Sequence, residues 1–333
     1  MSKAAELAAL IGSQTALSNR NLIINGGMQC WQRATSATAA NNSYGTVDRF
    51  AFNESTDGAY TSEQSTDTPT GTGYSLKAQV TTADASLAAS QYSYIHQNIE
   101  AQNLQSLQYG TSDAKSITLS FWVKSNKTGT YTILVRKLDS TIYHFVHEYT
   151  IDSANTWEKK EITISPTAGS TSFITASAGA IANDNGSGFQ IGWNLAFGST
   201  YNGATNNAWS SNTSHYATSN QVNWMDSTSN NFYLAEVQLE VGETATPFEH
   251  RSFSDELAKC QRYFYTADSV LEGAGGTSYT NWFFPVTMRA APSFTAGGSA
   301  SYTGVTPQKT HLYYYKTGNY PYLGTNPKVD AEL

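Results

Sequence analysis

The chain has 333 residues, and its 26 acidic residues outnumber its 19 basic residues, which gives a formal net charge of -7. Neutralising nucleic-acid phosphates requires a concentrated Lys/Arg face, and the basic residues here are thinly scattered, so we expect no nucleic-acid partner. No run approaches the roughly 18 apolar residues that span a bilayer, so we expect no membrane insertion. Aromatic residues make up 13% and charged residues only 14%, a mixture that favours strands and turns over helices.

The first 20 residues predict a short helix. Leu7, Leu10 and Ile11 fall on one side of it, and Gly12 follows as a stop signal. At about three turns, such a helix is too short to be stable alone in water, so it must dock on another surface. We therefore predict that residues 1–20 form an assembly anchor. Its docking surface could be the body of this chain, a sister subunit or a larger assembly.

From residue 21 onward, the pattern becomes that of strands separated by Gly- and Asn-rich turns. Five segments predict strands most clearly: residues 116–124, 131–138, 157–164, 188–196 and 231–240. In the first of them, Ile117, Leu119, Phe121 and Val123 alternate with mostly polar residues, as a strand in a β-sandwich requires. The sequence therefore predicts an all-β body over residues 21–251.

A long polar stretch at residues 198–223 predicts a functional or interface loop, because loops of this length are otherwise uncommon. Trp209 and Tyr216 in this stretch, and Trp224 just beyond it, are the candidate residues for contact with a sugar. Aromatic faces stack on the apolar faces of pyranose rings, while neighbouring Asn and Ser side chains can bind hydroxyls. The alternative is that these rings are buried in a core or a subunit interface, where Trp and Tyr are also enriched.

Residues 252–333 predict a linker helix followed by a smaller β domain. The helix is expected at residues 254–264, with Ser254 as its N-cap. Strands are expected at residues 282–288, 293–295 and 311–316. The tyrosines near the C-terminus would face both ways from a strand, so one face must be covered by protein or serve for recognition. These tyrosines are Tyr313, Tyr314, Tyr315, Tyr320 and Tyr322.

The chemistry-bearing residues do not predict an enzyme. The sequence has no GxSxG, HExxH, GxxxxGK[ST] or GxGxxG motif in an activating context. Two acids at a suitable separation would suffice for glycoside hydrolysis, but any chain with 26 acids offers such pairs. The acids considered for such a pair are Asp184, Asp226, Glu236 and Glu240.

No metal site or cofactor is predicted from the histidines and cysteines. His144 and His147 are three residues apart, so in a strand they point to opposite faces and cannot grip one metal ion. Cys30 and Cys260 lack the spacing of a CxxC pair, and we expect both to be free thiols made in a reducing cytoplasm. The start of the chain has no hydrophobic signal core, so we expect no secretion through a signal peptide.

Three motifs resemble those of bacteriophage tail-fibre and virion structural proteins. The run NLIINGGMQCWQR at residues 21–33, followed by VDRF at residues 47–50, resembles the opening of that family, whose second motif is a strand. The run YLAEVQLEVG at residues 233–242, with TPFE at 246–249, resembles its closing strand, which is similar to that of carbohydrate-binding-module jelly rolls. CQRYF at residues 260–264 is a further family-like signature.

The resemblance implies a jelly roll whose first and last strands are neighbours, in a trimeric or otherwise repeated subunit. Ala34 and Phe50 stand where the family often has Gly and Trp. The resemblance also implies a structural role in the virion, as a tail fibre or adhesin that meets a host surface glycan. The alternatives are a capsid decoration or head-fibre protein and a polysaccharide depolymerase.

Two further expectations concern the residues of these motifs. Asp48 is expected to form a charge pair with Arg33 or Arg49, beside a core to which Phe50 contributes. Jelly rolls of the carbohydrate-binding type often hold a structural calcium, to which Glu236 or Asp48 could supply oxygen, although no metal is predicted as a required cofactor.

Overall fold

The computed structural model describes residues 19–271, 278–317 and 321–333. The chain forms two compact units, the first ending at His250 and the second beginning at Arg251, whereas the expected boundary lay between residues 251 and 252. Strands dominate both units, and the prediction of an all-β chain is confirmed. The predicted anchor residues Leu7, Leu10 and Ile11 lie outside the described residues, so their role stays a prediction.

The first unit is a jelly-roll β-sandwich of two antiparallel six-stranded sheets. In spatial order, the first sheet contains β1 (Ser36–Thr38), β3 (Ala59–Ser65), β4 (Ser75–Thr82), β12 (Asn231–Val241), β6 (Ile117–Ser125) and β9 (Glu158–Ile164). The second sheet contains β11 (Ala208–Ser210), β8 (Tyr143–Ile151), β7 (Gly129–Lys137), β10 (Ser187–Phe197), β5 (Tyr92–Glu100) and β2 (Ala51–Glu54). Short 3-10 helices lie at Ala101–Leu107, Ala168–Ser170, Ser177–Gly179 and Trp224–Asp226.

The core lies between the two sheets, because each strand directs alternate apolar side chains inward. Ile117, Leu119, Phe121 and Val123 of β6 are fully buried there, as their alternation predicted. The five clearest predicted strands are confirmed as β6, β7, β9, β10 and β12, with each end within two residues of the expected position. The predicted loop at residues 198–223 is irregular apart from β11, which pairs with the edge of β8.

The resemblance implied that the first and last strands are neighbours; the opening and closing motifs are in contact, although the first strand, β1, pairs with β3. Leu22 N donates to Leu239 O (2.8 Å), and Val237 N donates to Gly26 O (2.9 Å). Gly26 is required at this crossing, because a Cβ there would lie 2.0 Å from Val237 O. The residues of the opening motif therefore complete the edge of the closing strand instead of forming a strand of their own.

Asn25 explains why the opening motif folds back on itself. Its side-chain oxygen accepts hydrogen bonds from Gln29 N and Cys30 N, and its amide donates to Cys30 O and Asp48 O. One buried side chain thereby fixes two segments that lie more than 20 residues apart. The expectation of a strand at residues 47–50 is wrong. This segment is a turn, with Arg49 in the left-handed region (φ 74°), and β2 begins only after it.

Asp48 forms the expected charge pair with Arg33, at 3.5 Å between Nη1 and Oδ1. Burial raises the pKa of Asp48, while hydrogen bonds from Gln32 and the charge of Arg33 act against that rise. The buried guanidinium of Arg49 donates to Asn98 O (2.7 Å), and its charge also acts against the rise in the pKa of Asp48. Phe50 is fully buried and contributes to the core of the sandwich, as expected.

The second unit is small and contains one helix and eight short strands among its described residues. Helix α1 (Phe253–Gln261) is followed by β13 (Phe264–Thr266), β14 (Ser269–Leu271), β15 (Ser278–Phe283), β16 (Ser293–Thr295), β17 (Gly304–Pro307), β18 (His311–Lys316), β19 (Tyr322–Thr325) and β20 (Lys328–Asp330). The strands form the sheets β13-β20-β16, β14-β19 and β15-β18-β17. Trp282, Leu312, Tyr314 and Val329 are buried in its core.

Two boundaries in this unit differ from expectation. Ser252, and not Ser254, is the N-cap of α1, and its side chain accepts a hydrogen bond from Asp255 N. The helix ends before residue 264, because Phe264 pairs with Asp330 as the first residue of β13. The strand expected at 282–288 ends at Phe283, since the backbone then turns away and Phe284 N donates to Thr310 O.

The described residues contain neither a disulfide nor a helix that could span a membrane. Cys30 and Cys260 are both buried, and neither forms a disulfide. Within the described ranges, no helix has the length and apolar character needed to cross a bilayer.

Candidate functional site: an aromatic pocket on the second sheet

The outer face of the second sheet carries a group of aromatic side chains. Along β5, Ile95 and Ile99 point into the core, so Tyr92, Tyr94 and His96 point away from it. β10 pairs with β5 so that Phe197 lies opposite Tyr92. A register irregularity after Asn194 marks a bulge at this end of β10. Such bulges re-aim side chains and are common beside functional sites.

Five aromatic side chains line a pocket of about 160 Å³ at this place. They are Tyr92, Tyr94, Phe197, Tyr201 and Tyr216, and we call this group the tyrosine pocket. Tyr94 and Phe197 are buried and form its floor, whereas Tyr92, Tyr201 and Tyr216 are half-buried. The pocket therefore combines a rigid apolar floor with walls that are open to solvent.

The five rings hold one another in place. Phe197 is offset-stacked on Tyr216, with ring centres 5.9 Å apart and planes at 14°. Tyr201 stands edge-on to Tyr216 at 5.6 Å and to Tyr92 at 5.6 Å. Offset-stacked and edge-to-face pairs are the preferred arrangements of aromatic rings, so the five rings stabilise one another in this arrangement.

The backbone of the long loop also fixes the two tyrosines that it contributes. Tyr216 N and Ala217 N both donate to Tyr201 O, at 2.7 and 3.1 Å. Gly198 N donates to Gln91 O (2.8 Å), and a Cβ at Gly198 would lie 2.1 Å from Ala88 O. The loop backbone therefore passes close to Ala88 and Gln91 as it leaves β10, and this path places Tyr201 over the pocket.

A polar network continues from the pocket along the same sheet face. The Arg136 guanidinium carbon lies 5.4 Å from the centre of the Tyr216 ring. Arg136 Nε donates to His144 Nε2 (3.1 Å), and Nη1 donates to Gln190 Oε1 (3.0 Å). Gln190 in turn donates to Asn98 Oδ1 (3.1 Å). The tyrosine pocket thus adjoins a hydrogen-bonded row that contains a permanently charged guanidinium.

His144 is neutral in this network. Its Nε2 accepts from Arg136, so the ring proton is on Nδ1, which donates to His215 O (3.0 Å). Burial, chiefly, lowers the pKa of His144 to about 4, and the charge of Arg136 adds to this effect. Burial likewise lowers the pKa of His96 to about 3, with Arg136 and Arg49 contributing. Both imidazoles are therefore uncharged at neutral pH.

The buried phenol group of Tyr94 is also uncharged at neutral pH. Burial raises the pKa of the Tyr94 hydroxyl far above its ordinary value of 10.0, because a phenolate would be poorly solvated there. A neutral phenol can donate and accept a hydrogen bond, which suits a ligand that carries hydroxyl groups.

Trp209 and Trp224 are not part of the pocket, which corrects the prediction that they contact a sugar directly. Trp209 is 2% exposed and packs against Phe145 at 5.4 Å, with its Nε1 donating to Ser165 O (2.9 Å). Trp224 is fully buried, packs edge-on to Tyr60 at 5.4 Å and donates to Asn231 O (3.1 Å). Each indole N–H finds a backbone carbonyl, so complete burial leaves no polar group unsatisfied.

Tyr216 is the one predicted sugar-contact residue that lies in the pocket, and sequence reasoning missed the other four rings. A signal existed in YSYIHQ at residues 92–97, where two tyrosines alternate with Ser93 and Ile95. Such alternation predicts that both rings leave the core on the same face. It does not predict which loop covers them.

The acids considered for catalysis are mostly engaged in structural contacts. Asp226 pairs with Lys127 at 2.6 Å, and Asp184 accepts from Gly186 N at 2.8 Å. Glu240 is buried and accepts hydrogen bonds from the backbone and side chain of Thr246. Glu236 lies at the bulge of β12 with φ 48° and lines a separate cavity of about 110 Å³. None of the four lines the tyrosine pocket.

The described residues contain no cluster of three or more His, Cys, Asp or Glu side chains that could hold a metal ion. Asp48, one candidate for calcium, is engaged by Gln32 and Arg33, and Glu236 lies in the other cavity. His144 and His147 point to opposite faces of β8, as predicted. His144 contacts Tyr216 on the outer face, and His147 stacks beside the core residue Phe145.

The C-terminal tyrosines divide between the two faces of β18. Tyr314 is fully buried, whereas Tyr313 and Tyr315 are half-buried and contact Tyr279, which is 62% exposed. One face of this strand is therefore covered by protein and the other carries exposed rings, as predicted. Tyr320 lies outside the described residues.

No protein-family model and no curated protein matches the chain. Among solved structures, it is similar to the enzymatically active domain of tailspike protein 4 from bacteriophage CBA120 (11% identity, TM-score 0.32). That match covers 67% of this chain and 21% of the other, so the chain spans about a fifth of the length of that domain structure.

Carbohydrate-binding modules are also among the similar structures. An N-terminal tandem of family 22 modules from Paenibacillus barcinonensis is 14% identical, with a TM-score of 0.34 and coverage of 70% of this chain and 52% of the other. A family 11 module from Clostridium thermocellum, in complex with a mixed-linked tetrasaccharide, is 13% identical, with a TM-score of 0.31 and coverage of 64% and 99%. All of these TM-scores are below 0.5, so no residue role is carried over from them.

Proposed function

We propose that the first unit binds glycans through the tyrosine pocket, and that the protein serves in a bacteriophage particle as a tail fibre or adhesin that meets the host surface. The observation that carries the proposal is the pocket itself: five mutually packed aromatic rings, three of them half-buried, on the outer face of a sheet. Four of the five rings carry a hydroxyl group. This is the combination that a sugar requires, because its ring has apolar faces and a polar edge.

The composition of the pocket favours binding without cleavage. Hydrolysis of a glycosidic bond by the common route needs a pair of carboxyl groups beside the bond. The tyrosine pocket is lined by aromatic side chains alone, and the four acids considered above lie elsewhere or are held in structural contacts. We therefore propose that a bound glycan is released without cleavage of its glycosidic bonds.

The virion role rests on the resemblance of residues 21–33 and 233–249 to phage virion proteins. In this proposal, the protein is made in the host cytoplasm and assembles as a homotrimer. The N-terminal segment attaches it to other virion proteins, and the β-sandwich presents the tyrosine pocket to a host glycan. A capsid decoration or head-fibre protein would use the same parts at another place on the particle.

Binding of the full-length protein to an array of bacterial surface oligosaccharides tests the glycan proposal. The wild-type protein is expected to bind a subset of glycans, and Tyr201→Ala is expected to weaken that binding about tenfold or more, the usual effect of losing a central aromatic contact. Tyr279→Ala is the matched control, because Tyr279 is an exposed tyrosine of the second unit. Equal losses in the two variants, or no glycan bound by the wild type, would contradict the proposal.

Two further experiments address the alternatives. Immunogold electron microscopy of intact particles distinguishes a tail position from a head position, and we expect label on the tail. Incubation of the protein with purified host glycan, followed by a reducing-end assay, is expected to yield no new ends. New ends above those in a heat-inactivated sample would support a depolymerase in place of a binding protein.

A further inference from the structure

The strongest feature beside the tyrosine pocket is the charge of Arg136. On one side, its guanidinium lies over the Tyr216 ring that lines the pocket. On the other side, it donates to His144 and Gln190, which are both uncharged. Arg136 is half-buried, and it makes no ion pair with a carboxylate in the part of the chain that the structure describes.

The donors of Arg136 are only partly used. A guanidinium has five N–H donors, and the two hydrogen bonds above engage Nε and Nη1. The Nη2 group has no hydrogen-bond partner among the described residues. The acid on the outer face of the neighbouring β8, Glu148, instead accepts from Asn220 (3.0 Å). The Arg136 guanidinium is thus fixed in position beside the pocket, and its Nη2 group remains available as a hydrogen-bond donor.

The surroundings of Arg136 agree with an uncompensated positive charge. His96, on the next strand but one, is buried and contacts Tyr94 at 5.3 Å between ring centres. Burial chiefly lowers the pKa of His96, and the charges of Arg136 and Arg49 add to this effect. Gly192 faces outward beside His96 and adds no side chain of its own, and a Cβ there would lie 3.5 Å from the Tyr94 ring and 3.6 Å from Leu134 Cβ. The Nη2 group of Arg136 lacks a partner in the described part of the chain but is not fully buried, so a negatively charged group of a ligand that extends past Tyr216 can reach it.

We infer that the pocket selects acidic glycans, with a carboxylate of a uronic or sialic acid residue bound by Arg136 while an adjacent sugar ring stacks in the tyrosine pocket. This inference rests on the proposed glycan-binding function and names its ligand class. A guanidinium matches a carboxylate better than an ammonium does, because its N–H groups can bind both oxygens in one plane. A neutral glycan would leave this half-buried charge without a counter-charge.

Paired ligands test the inference without altering the protein. Fragments of hyaluronan, oligogalacturonate and polysialate are titrated against the wild-type protein by isothermal titration calorimetry, each beside its carboxyl-reduced neutral form. At least one acidic fragment is expected to bind about tenfold or more tightly than its reduced form, and this difference should shrink as salt is raised. Equal affinity for the acidic and reduced forms would overturn the inference and leave the proposed glycan-binding function standing.

Two substitutions then test whether Arg136 causes the preference for acidic glycans. Arg136→Gln is expected to abolish the preference for the acidic form while keeping the affinity for the reduced form, and Arg136→Lys is expected to keep part of the preference. If Arg136 had a purely structural role, both variants would instead show equally weakened affinity for the acidic and the reduced forms, which would overturn the inference. Tyr201→Ala should weaken both ligand forms. If no fragment binds any protein, both the inference and the proposed function fail for these glycans.

Discussion

The side-chain amide of Asn194 donates a hydrogen bond to the backbone carbonyl of Tyr216 at 2.8 Å. Asn194 is fully buried on β10, and the same amide also donates to Thr132 Oγ1 (2.8 Å). Thr132 in turn donates to Gln221 Oε1 (2.6 Å), farther along the same loop. One buried side chain thereby attaches the long loop to the sheet at the residue that forms a wall of the tyrosine pocket.

Replacing Asn194 with Ala is expected to loosen this attachment. The change leaves the Tyr216 carbonyl without this donor, and losing a partner of a buried polar group costs about 1–3 kcal/mol. We expect a lower free energy of unfolding in urea and weaker glycan binding, because Tyr216 is no longer held. Asn103→Ala is the control, since Asn103 is exposed and lies away from the pocket. If Asn194→Ala bound glycan like the wild type, the loop would not depend on this contact.

The buried tryptophans and the pocket tyrosines should behave differently when truncated. Trp209→Ala and Trp224→Ala each remove a ring from a close-packed core and are expected to lower the free energy of unfolding by about 3–5 kcal/mol. Tyr201→Ala removes a half-buried ring. It should lower the free energy of unfolding less than the two tryptophan variants do, and weaken glycan binding more. Urea unfolding followed by circular dichroism checks the first effect and calorimetry the second. Wild-type stability in either tryptophan variant would contradict the assigned burial.

Acid should destabilise the protein through its buried histidines. The pKa of His144 is lowered from 6.5 to about 4 in the folded state, so below pH 6.5 the unfolded chain binds a proton that the folded chain does not. The free energy of unfolding therefore falls as the pH drops from 6.5 to 4, by up to about 1.4 kcal/mol per pH unit for this group. His96, with a pKa of about 3, acts in the same direction.

The variant His144→Gln checks this assignment, because a glutamine oxygen can still accept from Arg136 without titrating. Its free energy of unfolding is expected to change less steeply between pH 6.5 and 4 than that of the wild type. Asn103→Ala, the exposed control used above, removes no titrating group and should leave the slope unchanged. Parallel pH profiles for wild type and His144→Gln would contradict the neutral state assigned to His144.

The crossing of the opening and closing motifs depends on Gly26. A Cβ at this position would lie 2.0 Å from Val237 O, so Gly26→Ala must displace a backbone hydrogen bond. We expect a loss of about 1–3 kcal/mol or more, as for other overpacked sites. Gly27→Ala is the neighbouring control, because the atom nearest to its Cβ would be 3.4 Å away. The comparison is made by thermal unfolding, and equal melting temperatures of the two variants would argue against the crossing.

Local alternation predicted the strands of the sandwich well. In β6, for example, the alternation of Ile117, Leu119, Phe121 and Val123 reports burial directly, because successive side chains point to opposite faces. The same reasoning could not anticipate the turn at residues 47–50. That turn is held by the distant side chain of Asn25, a contact that no local pattern encodes.

The site was predicted only in part, because its residues meet through strand pairing. Tyr92 and Phe197 face each other only because β5 pairs with β10 in one particular register. For the loop tryptophan Trp209, the sequence left both sugar contact and burial open, and the structure shows burial because Ser165 O satisfies its indole N–H. An aromatic residue in a polar loop therefore indicates an ordered loop without indicating which ring a ligand would meet.

The central claim is that sugar rings contact the tyrosine pocket. Its most direct measurement is an NMR titration of protein carrying isotope-labelled tyrosine rings with a glycan identified on the array, the ring signals being assigned by single Tyr→Phe variants. The account predicts that the signals of Tyr92, Tyr94, Tyr201 and Tyr216 shift together and saturate, while those of Tyr279 and Tyr313 do not move. Shifts confined to the second unit, or unchanged pocket signals at saturating glycan, would contradict it.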